Sequence, residues 1–217
     1  MAKPIGARCN LACRYCFYLE KEALLYPGAA VPRMTEATLE CFVRDYLAAQ
    51  PAGEVHFAWQ GGEPTLMGLD FFRRAVELQR RYAGGRTVHN ALQTNGSLLD
   101  DDWGEFLARE GFLVGLSLDG PRALHDACRV ARDGRPTWEQ TMAGLRVLQR
   151  HRVRFNTLTV LHRRNVRQPL EVYEFLREHG SGFLQFIPLV ERRPGPEERA
   201  RGADFHAPPS IAPDLVA

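Results

Sequence analysis

The chain has 217 residues, of which 45% are hydrophobic and 25% are charged, a composition typical of a globular domain that buries a sizeable core. Its 28 Lys and Arg residues nearly balance its 26 Asp and Glu residues, which argues against the basic surfaces of nucleic-acid-binding and anionic-membrane-binding proteins. We therefore expect no nucleic-acid partner and no membrane partner. The sequence shows no run of about 18 apolar residues and no secretory signal pattern, so a cytoplasmic location is expected.

The N-terminal segment carries a cluster of cysteines. "ARCNLACRYCFYLEK" places Cys9, Cys13 and Cys16 close together in a chain with five cysteines, an odd number. Without an export signal, such thiols are expected to bind metal or perform chemistry rather than form a disulfide framework. A structural zinc site would need a fourth Cys or His at short spacing, and none is present. A [4Fe-4S] cluster can instead be held by three thiolates, which leaves one iron open to a substrate or cofactor.

The two remaining cysteines lie far from this cluster in sequence. Cys41 falls in a helical pattern and Cys128 much further along the chain. Both are expected to be small buried hydrophobic residues.

Apolar, β-rich segments alternate with amphipathic helical segments along the rest of the chain. "MAKPIG" leaves room for only a stub of strand before the cysteines. Thr35 and Asp100 are predicted N-caps and Gly180 a predicted C-cap. Such alternation indicates βα units and a parallel sheet, coiled either into an open barrel or into a doubly wound sheet. The predicted strands are 54–60, 87–95, 112–119, 153–160 and 182–187, and the predicted helices are 35–50, 69–83, 100–111, 137–151 and 168–180.

Polar side chains occupy alternate positions of the predicted strands, which is unusual for parallel strands covered on both faces. Their apolar neighbours, such as Phe57 and Trp59 or Leu116 and Leu118, are expected to face the outer helices. The alternative is that these polar groups lie in loops or bond one another in a closed core. As a set they predict a polar ligand inside the barrel. The polar set is His56, Gln60, Gln93, Asn95, Ser117, Asp119, Asn156 and Gln185.

A glycine pair follows the strand at 54–60. In "QGGEPTL", Gly61 and Gly62 allow close backbone approach, and Glu63 is a candidate acceptor for an ammonium group. Such a pair is by itself more often a plain turn.

The end of the chain differs from the rest in composition and in hydrophobic pattern. "ERRPGPEERARGADFHAPPSIAPDLVA" holds five prolines, several charges and no apolar period. We therefore predict one core over 1–190 and a Pro- and Arg-rich tail over 191–217 that is disordered.

The cysteine motif and its companions resemble a known family. CxxxCxxC followed by Phe17 resembles the radical S-adenosylmethionine superfamily, in which this loop holds the cluster inside a partial βα barrel. "KPIGARCNLACRYCFYLEK", "WQGGEPTL", "QTNG", "SLDGPRALHDACR" and "LQFIPLVE" narrow the resemblance to the anaerobic sulfatase-maturating enzymes, over about nine-tenths of this chain and the front half of a typical member. The implied fold is α/β, a partial (βα)6-type barrel with an irregular C-terminal tail; whether the barrel is truncated at both ends stays open.

The resemblance implies an enzyme that oxidises a Cys or Ser of a sulfatase polypeptide to Cα-formylglycine through a 5′-deoxyadenosyl radical. Its implied cofactors are a [4Fe-4S] cluster and S-adenosylmethionine, and its implied electron donor is of the flavodoxin or ferredoxin type. The resemblance assigns the cluster to Cys9, Cys13 and Cys16. It assigns S-adenosylmethionine binding to Tyr15, Gly62, Ser117, Arg129 and Leu189, and it places Gln60 and Tyr18 near the cofactor and the peptide. Glu63, the candidate acceptor for an ammonium group, completes the predicted cofactor-binding residues.

The resemblance assigns no catalytic residue, because the family's general-base aspartate belongs to a cysteine-rich SPASM half that does not match these residues. A radical enzyme acting on another peptide is one alternative. A non-catalytic fragment that binds the cluster or S-adenosylmethionine is another, and a structural zinc protein is the last.

Overall fold

The computed structural model describes residues 1–26, 33–51 and 53–190. The predicted tail at 191–217 lies outside the described residues, so the domain boundary at residue 190 stays a prediction. The helices are α1 (Phe17–Leu25), α2 (Glu36–Ala48), α3 (Leu69–Tyr82), α4 (Asp101–Arg109), α5 (Arg122–Asp126), α6 (Trp138–Arg150) and α7 (Pro169–His179). The strands are β1 (Glu54–Trp59), β2 (Thr87–Thr94), β3 (Leu113–Ser117), β4 (Arg154–Leu161) and β5 (Leu184–Pro188). Short 3-10 turns cover Pro64–Met67 and Asn165–Arg167.

The strands form one parallel sheet in the order β1-β2-β3-β4-β5. Ala2 extends this order beyond β1, since its N–H donates to Ala58 O at 2.8 Å and its carbonyl accepts from Gln60 N at 3.0 Å. A doubly wound sheet would reverse the strand order at a switch point, and this sheet does not. The partial barrel and the N-terminal stub of strand are therefore both confirmed.

The hydrophobic core lies between the outer face of the sheet and the helices. Phe57, Trp59 and Leu116 are buried in it, as the alternation predicted. Trp59 packs edge-to-face on Phe72 of α3 at 5.7 Å, and Phe57 packs in the same way on Phe42 of α2 at 5.8 Å. The apolar sets of β1 and β3 thus face the helices, and the polar sets of these two strands are left for the inner face.

Local capping chemistry fixes several helix ends. Thr35 Oγ1 accepts from Thr38 N at 3.1 Å, and Asp100 Oδ1 accepts from Trp103 N at 3.0 Å, which confirms both predicted N-caps. Gly180 ends α7 in an extended conformation, and a Cβ there would lie 2.5 Å from Leu176 O. Glycine is therefore required at this C-cap by close packing rather than by a left-handed backbone.

The prediction for Cys41 is wrong, whereas that for Cys128 is confirmed. Cys41 is exposed on α2, because the buried stripe of this helix runs through Leu39, Val43 and Leu47 and position 41 lies off it. Cys128 is completely buried beside the cysteine loop.

The sheet has an uncovered end at β5. Phe183 is 74% exposed and Phe186 41% exposed, and no helix in the described ranges packs over them. Among these ranges, no helix combines the length and the apolar character needed to cross a membrane.

Candidate functional site

The cysteine loop is held at the C-terminal edge of the sheet by backbone hydrogen bonds to segment 128–131. Ala12 N donates to Val130 O and Arg14 N to Cys128 O, each at 2.8 Å. This pairing sets Arg129 next to the cysteines although it lies more than a hundred residues away in sequence. The two sequence motifs "CNLACRYC" and "HDACR" therefore form one structural unit.

The glycine pair after β1 clamps the other side of the loop. Gly62 N donates to Gly6 O and Glu63 N to Arg8 O, each at 2.8 Å. A Cβ on Gly62 would lie 1.9 Å from Arg8 O, so only glycine fits. The close backbone approach expected here is thus made to the chain's own cysteine loop, and contact of Gly62 with S-adenosylmethionine stays a prediction.

Three thiols converge in a largely buried position. Burial raises the pKa of Cys9 to about 12 and that of Cys13 to about 11, and it also raises the pKa of Cys16. The charges of Cys13 and Cys16 further raise the pKa of Cys9, so the sulfurs repel one another when ionised. A bound cationic metal centre reverses this penalty, because a coordinating thiol is deprotonated outright.

The surroundings of the sulfurs suit an iron–sulfur cluster. Leu11 N donates to Cys9 Sγ at 3.3 Å, and N–H bonds to sulfur are among the features that set the potential of such clusters. Apolar side chains, among them Leu11, Val160 and Leu189, pack around the thiols and limit access of water. Three soft donors in a mostly apolar shell fit a [4Fe-4S] cluster better than a closed zinc site, which requires four ligands.

A buried carboxylate, Asp119, links the cysteine loop to Arg129. Tyr15 Oη donates to Asp119 Oδ2 at 2.5 Å, and the guanidinium of Arg129 lies 3.0 Å from Oδ2 and 3.2 Å from Oδ1. Val160 N donates to Oδ1 at 3.0 Å. Burial disfavours the charged carboxylate, but the charge of Arg129 and the hydrogen bonds from Tyr15 and Arg129 outweigh this effect and hold the pKa of Asp119 below its usual value.

Arg129 is therefore a buried ion-pair partner and not a solvated surface residue. It is 6% exposed, and its guanidinium lies 5.5 Å from the ring centroid of Tyr15. Arg129 and Tyr15 both lie close to Cys13: the charge of Arg129 acts to lower the pKa of Cys13, and the charge of an ionised Cys13 acts to raise the pKa of Tyr15. The structure thus brings together the predicted site residues Cys13, Tyr15 and Arg129. Contact of Tyr15 and Arg129 with S-adenosylmethionine stays a prediction.

A neutral histidine supports this ion pair from behind. Burial, followed by the charge of Arg129, lowers the pKa of His125 to about 4. Its Nδ1 accepts from Asp119 N at 3.4 Å, which leaves the proton on Nε2, 3.3 Å from Thr137 Oγ1. Thr137 Oγ1 in turn donates to Arg129 O at 2.8 Å. The chain of bonds fixes the backbone on both sides of the Asp119–Arg129 pair.

Glu63 fastens the glycine turn to the end of β2. Its Oε1 accepts from Thr65 N at 3.1 Å, Thr65 Oγ1 at 2.7 Å and Thr94 Oγ1 at 2.8 Å, while Oε2 accepts from Asn95 N at 2.8 Å. Burial raises the pKa of this carboxyl. Oε2 has one donor among the described residues and can accept a second hydrogen bond. Acceptance from an ammonium group therefore stays a prediction.

An amide network that the sequence did not reveal joins the loop to the "QTNG" segment. Asn95 Nδ2 donates to Asn10 Oδ1 at 2.9 Å, Asn10 Nδ2 to Ser97 Oγ at 2.8 Å, and Ser97 Oγ to Asn95 Oδ1 at 2.6 Å. Asn95 was expected on the inner face, but Asn10 and Ser97 carried no recognisable signal of their own. The network holds Asn95 Nδ2 at 3.8 Å from Cys9 Sγ.

The other predicted cofactor residues lie along the same edge. Ser117 is buried at the end of β3, and its hydroxyl bonds no other residue in the described part of the chain. Gln60 is half-buried just after β1, and Leu189 just after β5 contacts the cysteine cluster. Tyr18 is half-buried in α1, with Lys3 Nζ 5.2 Å from its ring centroid. His56, by contrast, lies near the start of β1 and away from this edge.

This chain matches known proteins over most of its length. Residues 4–176 match the Radical SAM superfamily. The chain is 44% identical over 192 residues to a serine-type anaerobic sulfatase-maturating enzyme of Bacteroides thetaiotaomicron, covering 88% of this chain and 46% of that protein. It is 37% identical over 201 residues to a cysteine-type anaerobic sulfatase-maturating enzyme of Clostridium perfringens, covering 89% of this chain and 53% of that protein.

A solved structure agrees with these sequence matches. Native anSMEcpe with bound AdoMet and the Cp18Cys peptide superposes with a TM-score of 0.85 at 34% identity, covering 98% of this chain and 54% of that one. The chain therefore spans about half the length of the relatives it matches. With the cysteine loop and the curled parallel sheet both in place, the match over residues 4–176 shows that the chain belongs to the radical S-adenosylmethionine superfamily and is homologous to the N-terminal part of anaerobic sulfatase-maturating enzymes.

Proposed function

We propose that this chain is the radical-generating part of an anaerobic sulfatase-maturating enzyme, which oxidises a Cys or Ser of a sulfatase polypeptide to Cα-formylglycine. The observation that carries the proposal is the convergence of Cys9, Cys13 and Cys16 beside the Tyr15–Asp119–Arg129 network, in a chain with continuous homology to such enzymes.

Cys9, Cys13 and Cys16 would hold a [4Fe-4S] cluster. Tyr15, Gln60, Gly62, Glu63, Ser117, Arg129 and Leu189 would bind or border S-adenosylmethionine. If bound and reduced, the cluster would supply the electron for reductive cleavage of S-adenosylmethionine, the chemistry with which such enzymes remove a hydrogen atom from the Cβ of a target residue.

This chain's residues would orient a bound ligand and limit access of water to the site. The ion pair of Arg129 with Asp119 neutralises both charges in a buried region and fixes their side chains, so little reorganisation is needed when a polar ligand arrives. The hydroxyl of Ser117, unbonded within the described residues, is available as a donor. The apolar shell of Leu11, Val160 and Leu189 limits water near the thiols.

A sulfatase polypeptide is the proposed substrate, and a flavodoxin- or ferredoxin-type protein the proposed electron donor. A reducing cytoplasm is the compartment that suits free thiols and an oxygen-sensitive centre. Identity to the serine-type relative, at 44%, exceeds that to the cysteine-type relative, at 37%, which supports a seryl target.

The proposal is tested by turnover under anaerobic conditions. The cluster-loaded chain is incubated with S-adenosylmethionine, dithionite and two synthetic sulfatase peptides that differ only in a Ser or a Cys at the target position. Mass spectrometry should show formylglycine, with 5′-deoxyadenosine formed alongside it, and the seryl peptide should react faster. Formation of 5′-deoxyadenosine without peptide oxidation would restrict the function to radical generation, and absence of both products would refute the proposal.

A further inference from the structure

A second cluster of metal-ligating side chains lies at the opposite, N-terminal edge of the sheet. His56 of β1 and His89 of β2 are register partners, and their rings stack at 4.9 Å with an interplanar angle of 20°. Glu54 precedes His56 by two positions and so points to the same face of the strand. The three side chains therefore converge because of strand register and not because of a flexible loop.

The distances suit a single ion. Glu54 Oε2 lies 3.6 Å from His89 Nε2 and 3.9 Å from His56 Nε2, and one donor atom from each of the three residues falls within 4.8 Å of the others. Donors that bind one zinc ion tetrahedrally at about 2.0 Å are about 3.3 Å apart. Shifts of a few tenths of an ångström to about an ångström and a half, within reach of exposed side chains, would bring these donors to that spacing.

The hydrogen bonding of the cluster is incomplete. His89 Nε2 is buried and has no hydrogen-bond partner among the described residues, and both distances to Glu54 Oε2 exceed hydrogen-bond length. A cavity of about 250 Å³ opens beside the two rings and is also lined by Ala91, Leu113 and Arg154. The cluster thus has an unpaired donor atom and room for a further ligand such as water.

We propose that Glu54, His56 and His89 form a binding site for a divalent transition-metal ion of the zinc class. Two imidazoles and one carboxylate, with a fourth position open, are a donor set that zinc uses in proteins. The site is separate from the cysteines, because the extended chain rises about 13 Å over the four steps from His56 to Gln60, which lies at the other edge of the sheet. The proposed zinc ligands share no residue with the proposed cluster and S-adenosylmethionine sites.

The test is zinc binding by the full chain with its iron–sulfur cluster already loaded, so that the cysteines do not compete for the ion. Calorimetric titration with Zn²⁺ should give one site per chain. His56→Gln and His89→Gln should each weaken binding by more than about 10-fold, and Glu54→Gln should also weaken it. The matched control is His179→Gln at the end of α7, which should leave the affinity unchanged.

Cobalt(II) gives an independent reading. Its visible spectrum in the cluster-loaded chain should show nitrogen and oxygen ligation without a thiolate charge-transfer band, and the spectrum should be lost in His89→Gln. His56 and Glu54 are mostly exposed, so circular dichroism of their variants should match the parent and exclude unfolding. Absence of zinc binding, or equal affinity in the parent and in the His56 and His89 variants, would overturn the proposal.

Discussion

The ionisable groups at the two edges of the sheet differ in burial and in hydrogen bonding. At the C-terminal edge, Asp119, Arg129 and Glu63 are buried and bonded to fixed partners. At the N-terminal edge, Glu54 and His56 are mostly exposed and lie just beyond hydrogen-bond distance of their neighbours. A buried charge is tolerated only when it is paired, so the first edge is organised before any ligand binds. The second edge is the one at which we propose that a metal ion binds.

The largest expected effect separates the cluster cysteines from an unrelated one. Cys13→Ala should lower 5′-deoxyadenosine formation by more than about 100-fold, because it would remove one of the three proposed iron ligands. Cys41→Ala, at an exposed cysteine on α2, is the matched control and should retain both iron content and activity. Equal loss of activity in the two variants would remove the distinction.

The next effect tests the buried ion pair. Asp119→Asn leaves the guanidinium of Arg129 buried without its counter-charge and should lower the free energy of unfolding by about 3–5 kcal/mol. Asp133→Asn removes the partner of Arg135 in an exposed pair and should cause no measurable change. Both are measured by urea denaturation; a similarly small loss at position 119 would show that the pair contributes little.

The contribution of Asp119 should also depend on pH with a defined sign. Its pKa is held below the ordinary value near 3.9, so its ionised form stabilises the folded state above about pH 4. The stability difference between the parent and Asp119→Asn should be constant near pH 7 and shrink as the pH falls through the folded-state pKa. A difference that grew on acidification would contradict the assignment of charge.

A smaller loss is expected at the glycine clamp. Gly62→Ala should lower the free energy of unfolding by about 3 kcal/mol, because the new Cβ would meet the Arg8 carbonyl. Gly53→Ala places a methyl group in open space and has only the backbone penalty of a positive φ, about 1 kcal/mol. Denaturant midpoints of the two variants compare steric contact with backbone conformation directly.

The smallest effect is expected at the N-terminal edge without metal. Glu54→Gln should leave the thermal midpoint of metal-free protein unchanged, since the side chain is exposed and makes no hydrogen bond among the described residues. With zinc present, the parent should melt at a higher temperature and the variant should not. A marked loss of stability without zinc would mean that this edge, too, is organised by its own contacts.

Local signals made much of the fold predictable. The N-caps Thr35 and Asp100 and the alternating apolar residues of β1 lie where the patterns placed them. Helices α1 and α5 were not predicted. α1 begins directly after Cys16 without a side-chain cap and does not gather its apolar residues on one face, whereas α5 spans only five residues, too few for a periodic pattern.

The site was predictable only in part, because its members meet over long sequence separations. The cysteine spacing indicated the cluster, but nothing local to Tyr15 shows that it bonds Asp119, which is 104 residues away. The close approach of Gly62 to the carbonyl of Arg8 likewise depends on how the strand stub at Ala2 pairs with β1. The sequence motifs indicated which residues belong to the site, whereas the order of the strands determines which of them contact one another.

We expect three thiolates to hold a [4Fe-4S] cluster with one iron open to S-adenosylmethionine. Electron paramagnetic resonance of the dithionite-reduced, reconstituted chain tests it most directly. We expect a [4Fe-4S]⁺ signal whose g values shift when S-adenosylmethionine is added, with no such signal in Cys13→Ala and an unaltered response in Cys41→Ala. A signal that does not respond to S-adenosylmethionine, or one that persists in Cys13→Ala, would contradict it.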